Sequence, residues 1–132
     1  MSGAVSTRGV EHVGMVVRDT VALAGWFGAV FGAEIVSRSS DEPPILFLRF
    51  GGGSLVELVP GTPPATTPSD HVHLSLSVDE LKIAIEGLKG AGIEIEKGPF
   101  DAYEGSPVVF FRDPEGNLLQ VVERRSALRQ PS

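Results

Sequence analysis

The chain has 132 residues, 42% of them hydrophobic, a formal net charge of −6 and no cysteine. That length builds one domain with a real core, while the acidic balance argues against nucleic acid or an anionic membrane as partner. The missing cysteines exclude disulfides, thiolate metal sites and thiol catalysis, so any bound metal is held by His, Asp, Glu or Gln and is a hard or borderline cation.

The N-terminal MSGAVSTRG has neither the charged nor the apolar region of a signal peptide. No apolar run approaches the roughly 18 residues of a spanning helix, and a cytoplasmic location is the default expectation. VEHVGMVVRD then alternates as a strand as far as Asp19. From Thr20 to about Phe31, Val21, Leu23, Ala24, Phe27, Val30 and Phe31 recur at helical spacing, with Asp19 or Thr20 as N-cap and Gly32 as stop. A strand at Ala33 to Ser37 and a hairpin from Ile45 to Val59, turning on GGG, complete the first half.

Pro60 to Asp70, PGTPPATTPSD, reads as a proline-rich connector without periodicity. The plan then repeats. HVHLSLSVD is a period-two strand, and Asp79 is positioned to cap a helix whose face is Leu81, Ile85 and Leu88, closed by Gly90 and Gly92. IEIEK reads as a short strand, and PVVFFRDPEGNLLQVVE as a hairpin turning on Asp113-Pro114-Glu115-Gly116. Arg124 to Ser132 is a polar tail, expected to fray.

The two hairpins are nearly the same text. At an offset of 63, Pro44, Phe47, Arg49, Gly53, Leu55 and Val59 fall on Pro107, Phe110, Arg112, Gly116, Leu118 and Val122. The expected organisation is therefore α+β, a single domain over 1–132 of two βαβββ modules, about 8–60 and 70–124, joined by the linker 60–70. A two-unit repeat is a paired architecture rather than a solenoid.

Strand parity places polar residues on an otherwise apolar framework. His12 shares a face with Val10, Gly14 and Val16. Glu57 shares one with Leu55 and Val59, His73 with His71, Ser75 and Ser77, and Gln120 with Leu118 and Val122. Each module thus offers one His on its first strand and one acid or amide on its last, where Glu57 becomes Gln120 at the offset of 63. A carboxylate among apolar neighbours needs a partner. A cation bound by two imidazoles and Glu57, with the Gln120 carbonyl as fourth ligand, would supply it. Parity alone slightly favours the other reading, Glu57 solvent-exposed on an open sheet face and each His an ordinary hydrogen-bonded residue. The pseudo-symmetric placement of all four residues tips the balance toward the cation. His71, at the start of its strand beside Asp70, reads as an ordinary hydrogen-bonded residue. No Ser-His-Asp arrangement, phosphate-binding glycine motif or HExxH is present.

EHVGMVVRD, LVELVP, HVHLSLSVD and above all FFRDPEGNLLQVVE resemble the vicinal oxygen chelate superfamily, over Gly9 to Glu123. That superfamily includes glyoxalase I, bleomycin-resistance proteins, methylmalonyl-CoA epimerase, fosfomycin-resistance transferases and extradiol dioxygenases. The resemblance implies paired modules curling into a cup-shaped mixed sheet, helices on the convex face and the site on the concave one. It places one divalent ion (Zn, Ni, Mn or Fe) on His12, Glu57, His73 and Gln120. The implied activity is a glyoxalase-like lyase or isomerase acting on a small oxygen-chelating substrate through an enediolate-type intermediate, with Glu57 as base.

Glyoxalase-like members normally carry Glu where this chain has Gln120, so Glu57 is the sole carboxylate of the set. The alternatives are a metal-free small-molecule-binding protein of the bleomycin-resistance type and a two-His-one-carboxylate dioxygenase. Extradiol enzymes, however, keep their carboxylate at the position of Gln120. Arg49, Tyr103 and Arg112 are candidates for the mouth of the cup, with the segment from Lys97 to Ser106 and the strand ahead of Gly51 shaping the pocket. Members of this length commonly form homodimers in which each chain gives half the ligands, His12 and Glu57 from one and His73 and Gln120 from the other. A monomer closing its own two modules is the other arrangement.

Overall fold

The computed structural model describes residues 3–6, 8–63 and 72–125. His71, most of the 60–70 linker and the tail beyond Arg125, for which the sequence raised expectations, lie outside the described residues. The chain divides into two compact units, Met1–Pro64 and Ala65–Ser132. Each unit is a βαβββ module, as the offset of 63 implied.

The first unit runs β1 (His12–Val17), α1 (Thr20–Phe31), β2 (Glu34–Arg38), β3 (Leu46–Arg49) and β4 (Leu55–Pro60), with sheet order β1-β4-β3-β2. The first strand thus lies parallel to the last, and the other pairs are antiparallel. The second unit repeats the order with β5 (Leu74–Ser77), α2 (Leu81–Gly90), β6 (Lys97–Asp101), β7 (Pro107–Arg112) and β8 (Leu118–Val122), arranged β5-β8-β7-β6. Among the described residues no helix is long and apolar enough to cross a membrane.

Helix α1 has the limits its sequence signals. The Asp19 carboxylate accepts from the Ala22 N–H at 2.9 Å, satisfying one of the unpaired first-turn donors. Gly32 ends the helix at φ 71 and donates to the Gly28 carbonyl, a conformation that penalises any residue with a Cβ. Leu23, Ala24 and Phe27 are buried, about 1.5–3 kcal/mol for each of the two large side chains. They cover the face of the sheet that carries Leu46, Leu48, Val56 and Leu58, all buried. The buried Thr20 hydroxyl donates to the Pro44 carbonyl at 2.7 Å and ties the helix start to the entry of β3.

Several boundaries differ from the sequence reading. Strands β1 and β5 are shorter than VEHVGMVVRD and HVHLSLSVD, and β5 starts at Leu74, which leaves His73 just ahead of it. Helix α2 is preceded by Glu80 rather than Asp79, and the Glu80 side chain makes no capping bond. The Leu81 N–H instead donates to the Glu123 carboxylate at 2.8 Å, a cap delivered from the end of β8 across 42 positions of sequence. The helix runs through Gly90, with Ala91 as C-cap and Gly92 following at φ 79. IEIEK is not a strand: pairing starts at Lys97, and of the segment before it Glu96 donates its N–H to the Phe110 carbonyl at 2.8 Å. Alternation there reflects half-burial of Ile93 and Ile95, which needs no ladder. Strand β2 sits one residue later than Ala33 to Ser37.

The second hairpin turns on Asp113 to Gly116, as the sequence indicates. Asp113 is 4% exposed, and its carboxylate accepts from the Glu115 and Asn117 N–H groups at 2.9 and 3.0 Å and from Asn117 Nδ2 at 2.8 Å. Gly116, at φ 88, donates to the Asp113 carbonyl. The DPEGN stretch is therefore a turn built around one nearly buried acid. Burial raises the Asp113 pKa, while the bonds from Asn117 and Glu115 oppose the rise.

Candidate functional site

In the first unit the register puts Gly14 opposite Glu57 and Glu57 opposite Phe47, so these side chains share the face turned away from α1. His12 lies on the same face, two residues before Gly14. His12 Nε2 stands 3.4 Å from Glu57 Oε1. Its ring meets Phe47 edge-on, with centroids 5.2 Å apart and planes at 80°. Gly14 matters by what it lacks, since a Cβ there would come within 3.2 Å of Glu57 Oε1. The missing side chain is what admits the carboxylate.

His12 Nδ1 is 2.6 Å from Glu11 Oε1. A carboxylate only accepts, so Nδ1 carries the proton and Nε2 is turned to Glu57. Histidines that ligate metals are held in this way, the far nitrogen donating to a carboxylate. The same contact raises the His12 pKa: the Glu11 hydrogen bond contributes most, partial burial opposes it, and the charges of Glu11 and Glu57 add to it. Two carboxylates thus flank one imidazole. Either a proton or a metal cation in the gap between Nε2 and Oε1 relieves the electrostatic conflict.

The geometry of that gap suits a metal. Ligands bonded at about 2.0–2.2 Å around a tetrahedral ion lie roughly 3.4 Å apart, which is the His12–Glu57 separation. Donor chemistry agrees, because imidazole nitrogen with carboxylate oxygen is a borderline-cation set.

The second unit repeats the layout with different chemistry. Ser75 pairs with Gln120, and Gln120 with Phe110. His73, just before β5, meets the Phe110 ring edge-on at 5.3 Å and 84°, close to the His12–Phe47 geometry. Where the first unit has Gly14 beside an acid, this one has Ser75 donating its hydroxyl to Gln120 Oε1 at 2.6 Å. On the same face Val108, Phe110, Leu118 and Val122 form a buried apolar cluster around the half-buried Gln120. Among the described residues no three His, Asp or Glu side chains gather at metal-ligating range; each unit carries one His and one acid or amide.

The remaining candidates fall elsewhere. Arg112 is engaged in its own hairpin, Nε donating to the Glu96 carboxylate at 3.1 Å and Nη1 to the Gly116 carbonyl at 3.1 Å. Arg49 is exposed at the end of β3. Tyr103 begins the short 3-10 turn Tyr103–Gly105 that precedes β7. Sequence reasoning passed over Phe47, Phe110, Glu11 and Ser75. The aromatic pair was visible in the repeat itself, since both phenylalanines sit at the offset of 63 and opposite the acid or amide.

The model of the Glyoxalase/Bleomycin resistance protein/Dioxygenase superfamily matches residues 9–121. An uncharacterised protein of Escherichia coli, YaeR, is 24% identical over 123 residues, covering 87% of this chain and 95% of that one. Among solved structures, the fosfomycin resistance protein FosX of Listeria monocytogenes, crystallised with Mn(II) and sulfate, superposes with a TM-score of 0.70. It is 18% identical over 88% of this chain and 90% of that one. A glyoxalase family protein of Enterococcus faecalis gives the same TM-score at 23% identity, over 88% and 98% of the two chains. These structural likenesses show the shared fold. With the duplicated module, the paired His positions and the match spanning nearly the whole sequence, the chain belongs to the Glyoxalase/Bleomycin resistance protein/Dioxygenase superfamily.

Proposed function

We propose that the protein is a glyoxalase-like lyase or isomerase that uses one divalent cation held by His12, Glu57 and His73, with Gln120 in a weak or displaceable fourth position. The observation that carries this reading is the His12–Glu57 pair: a half-buried carboxylate set 3.4 Å from an imidazole nitrogen whose other nitrogen is fixed by a second carboxylate. A bound Zn, Ni, Mn or Fe would act as a Lewis acid toward two adjacent oxygens of a small substrate. Glu57 is the carboxylate of the set and takes the proton from the carbon beside the polarised carbonyl. Glu11 holds the His12 ring in place, and Phe47 and Phe110 set an apolar ring edge-on against each of the two His positions.

Each unit supplies two of the four positions, and the proposed arrangement is a homodimer in which His12 and Glu57 of one protomer meet His73 and Gln120 of its partner, as against a monomer that closes its own two units. The test uses His12→Ala and His73→Ala, separately and mixed, with Zn(II) binding as one readout. Metal-dependent exchange of the carbon-bound hydrogens of hydroxyacetone with deuterated solvent is the other. The proposal expects neither variant to bind or exchange alone and the mixture to recover both. Exchange that survives Glu57→Gln, or its absence from metal-loaded wild type, overturns the assignment of Glu57 as base.

A second reading, a metal-free binding protein of the bleomycin-resistance type, is favoured by the Ser75–Gln120 bond, which uses the amide oxygen within the chain. A wild type that refuses Zn, Ni, Mn and Fe would establish that reading in place of the enzyme.

A further inference from the structure

The pairing register defines one row of side chains across the site face of each unit. In the first it is Gly14, Glu57, Phe47 and Ser37. In the second it is Ser75, Gln120, Phe110 and Lys97. The rows match position by position and differ in charge: the first carries a carboxylate, and the second carries an ammonium and no acid. In a chain of net charge −6, that places a cation on the face that bears Gln120.

The ammonium has a defined seat. Phe100 and Phe110 stack with centroids 6.2 Å apart and planes at 20°, and Lys97 Nζ lies 5.4 and 5.6 Å from the two centroids. Those are cation–π distances. The Phe110 ring that seats Lys97 is the ring that meets His73. His73 and the ammonium are therefore no further apart than two ring contacts laid end to end. Strand spacing puts the Lys97 and Gln120 backbones roughly 10 Å apart, so a substrate of a few heavy atoms bridges the two side chains.

We infer that Lys97 is a specificity-determining residue, and that the substrate carries a small anionic group, carboxylate or phosphate, in addition to its chelating oxygens. The acid-to-amide change between the modules then has a consequence for binding. A glutamate at position 120 would set a negative charge two strands from the ammonium and oppose an incoming anion, whereas Gln120 leaves the row with a net positive charge. The chelating half of this inference rests on the proposed metal site; the anion-binding half does not.

The test separates the two. Amide shifts of Lys97, Phe100 and Phe110 are followed by NMR as inorganic phosphate and, separately, acetate are titrated into metal-free protein at constant ionic strength. The same titrations are run on Lys97→Met, which keeps the stem packed on the rings. Saturable shifts at those residues, lost in Lys97→Met, support the inference, and whichever anion saturates first identifies the acidic group. Shifts that are absent, or that persist in Lys97→Met, overturn it.

On Zn(II)-loaded protein, succinic acid monohydroxamate should bind roughly two- to fivefold tighter than acetohydroxamic acid, within the range of one exposed charge pair. Lys97→Met should erase the difference without changing acetohydroxamate or Zn(II) affinity, and Lys97→Arg should retain it. Equal affinity for the two hydroxamates in wild type counts against the inference. A protein that takes no metal, yet shows Lys97-dependent anion shifts, refutes the chelation reading and upholds Lys97.

Discussion

Replacing Gly14 by Ala tests whether the space beside Glu57 is functional. The new Cβ would lie 3.2 Å from Glu57 Oε1, a few tenths of an ångström inside an ordinary carbon–oxygen contact. Gly14 is paired in a strand and has no positive φ, so the backbone accepts Ala without strain. Alanine also loses less backbone entropy on folding than glycine in a strand. The flexible end of Glu57 gives way rather than the sheet, and the change in global stability should stay within about 1 kcal/mol.

The carboxylate, however, moves relative to His12 Nε2, now 3.4 Å away. Metal ligation tolerates only about ±0.2 Å in each bond. Loss of roughly 1.4 kcal/mol of binding, a tenfold rise in the Zn(II) Kd, is the expected size. Calorimetric titration with Zn(II), alongside thermal unfolding of the metal-free proteins, reads both quantities. A Gly14→Ala protein that binds Zn(II) within twofold of wild type would show that Glu57 is not a ligand in its present position. A large fall in metal-free stability would show instead that the missing Cβ serves packing.

The second hairpin and the Glu11–His12 contact give further expected outcomes. Asp113→Ala removes the acceptor of three hydrogen bonds in the second hairpin and should cost about 2–4 kcal/mol in denaturant unfolding, net of the burial cost it relieves; a loss below 1 kcal/mol would contradict the role given to that turn. The raised His12 pKa gives the metal-free protein a stabilising contribution that is fully present below the usual value of about 6.5 and lost as pH rises through the raised one. Metal competes with that proton, so Zn(II) affinity should fall as pH drops through the raised His12 value, and Glu11→Gln should move the fall to lower pH. An NMR titration of the His12 ring that is unchanged in Glu11→Gln would refute this.

What was legible in the sequence was what repeats or alternates. The offset of 63 gave the duplicated module, and parity placed His12, Glu57 and Gln120 on the face away from the helices, because a strand's side-chain period leaves no other choice. Helix α1 was readable from end to end because its cap Asp19 and its stop Gly32 are local. Helix α2 was not: its cap is the Glu123 carboxylate, 42 positions further along the chain, which no local pattern names. IEIEK failed for a related reason, since alternation reports burial and not ladder bonding. Arg112, read as a candidate for the mouth of the site, is bonded to Glu96 and Gly116, partners no local pattern names. Lys97 was placed only within a segment expected to shape the pocket, and its alignment with Gln120 depends on register.

A single divalent ion shared by His12, Glu57, His73 and Gln120 is the feature on which the proposed function depends. Elemental analysis of untagged protein, with Glu57→Ala and His73→Ala beside it, tests that feature most directly. The expected result is about one equivalent of metal per site in wild type, lost in both variants while they remain folded. A folded wild type that carries no metal and takes up none of Zn, Ni, Mn or Fe would contradict it.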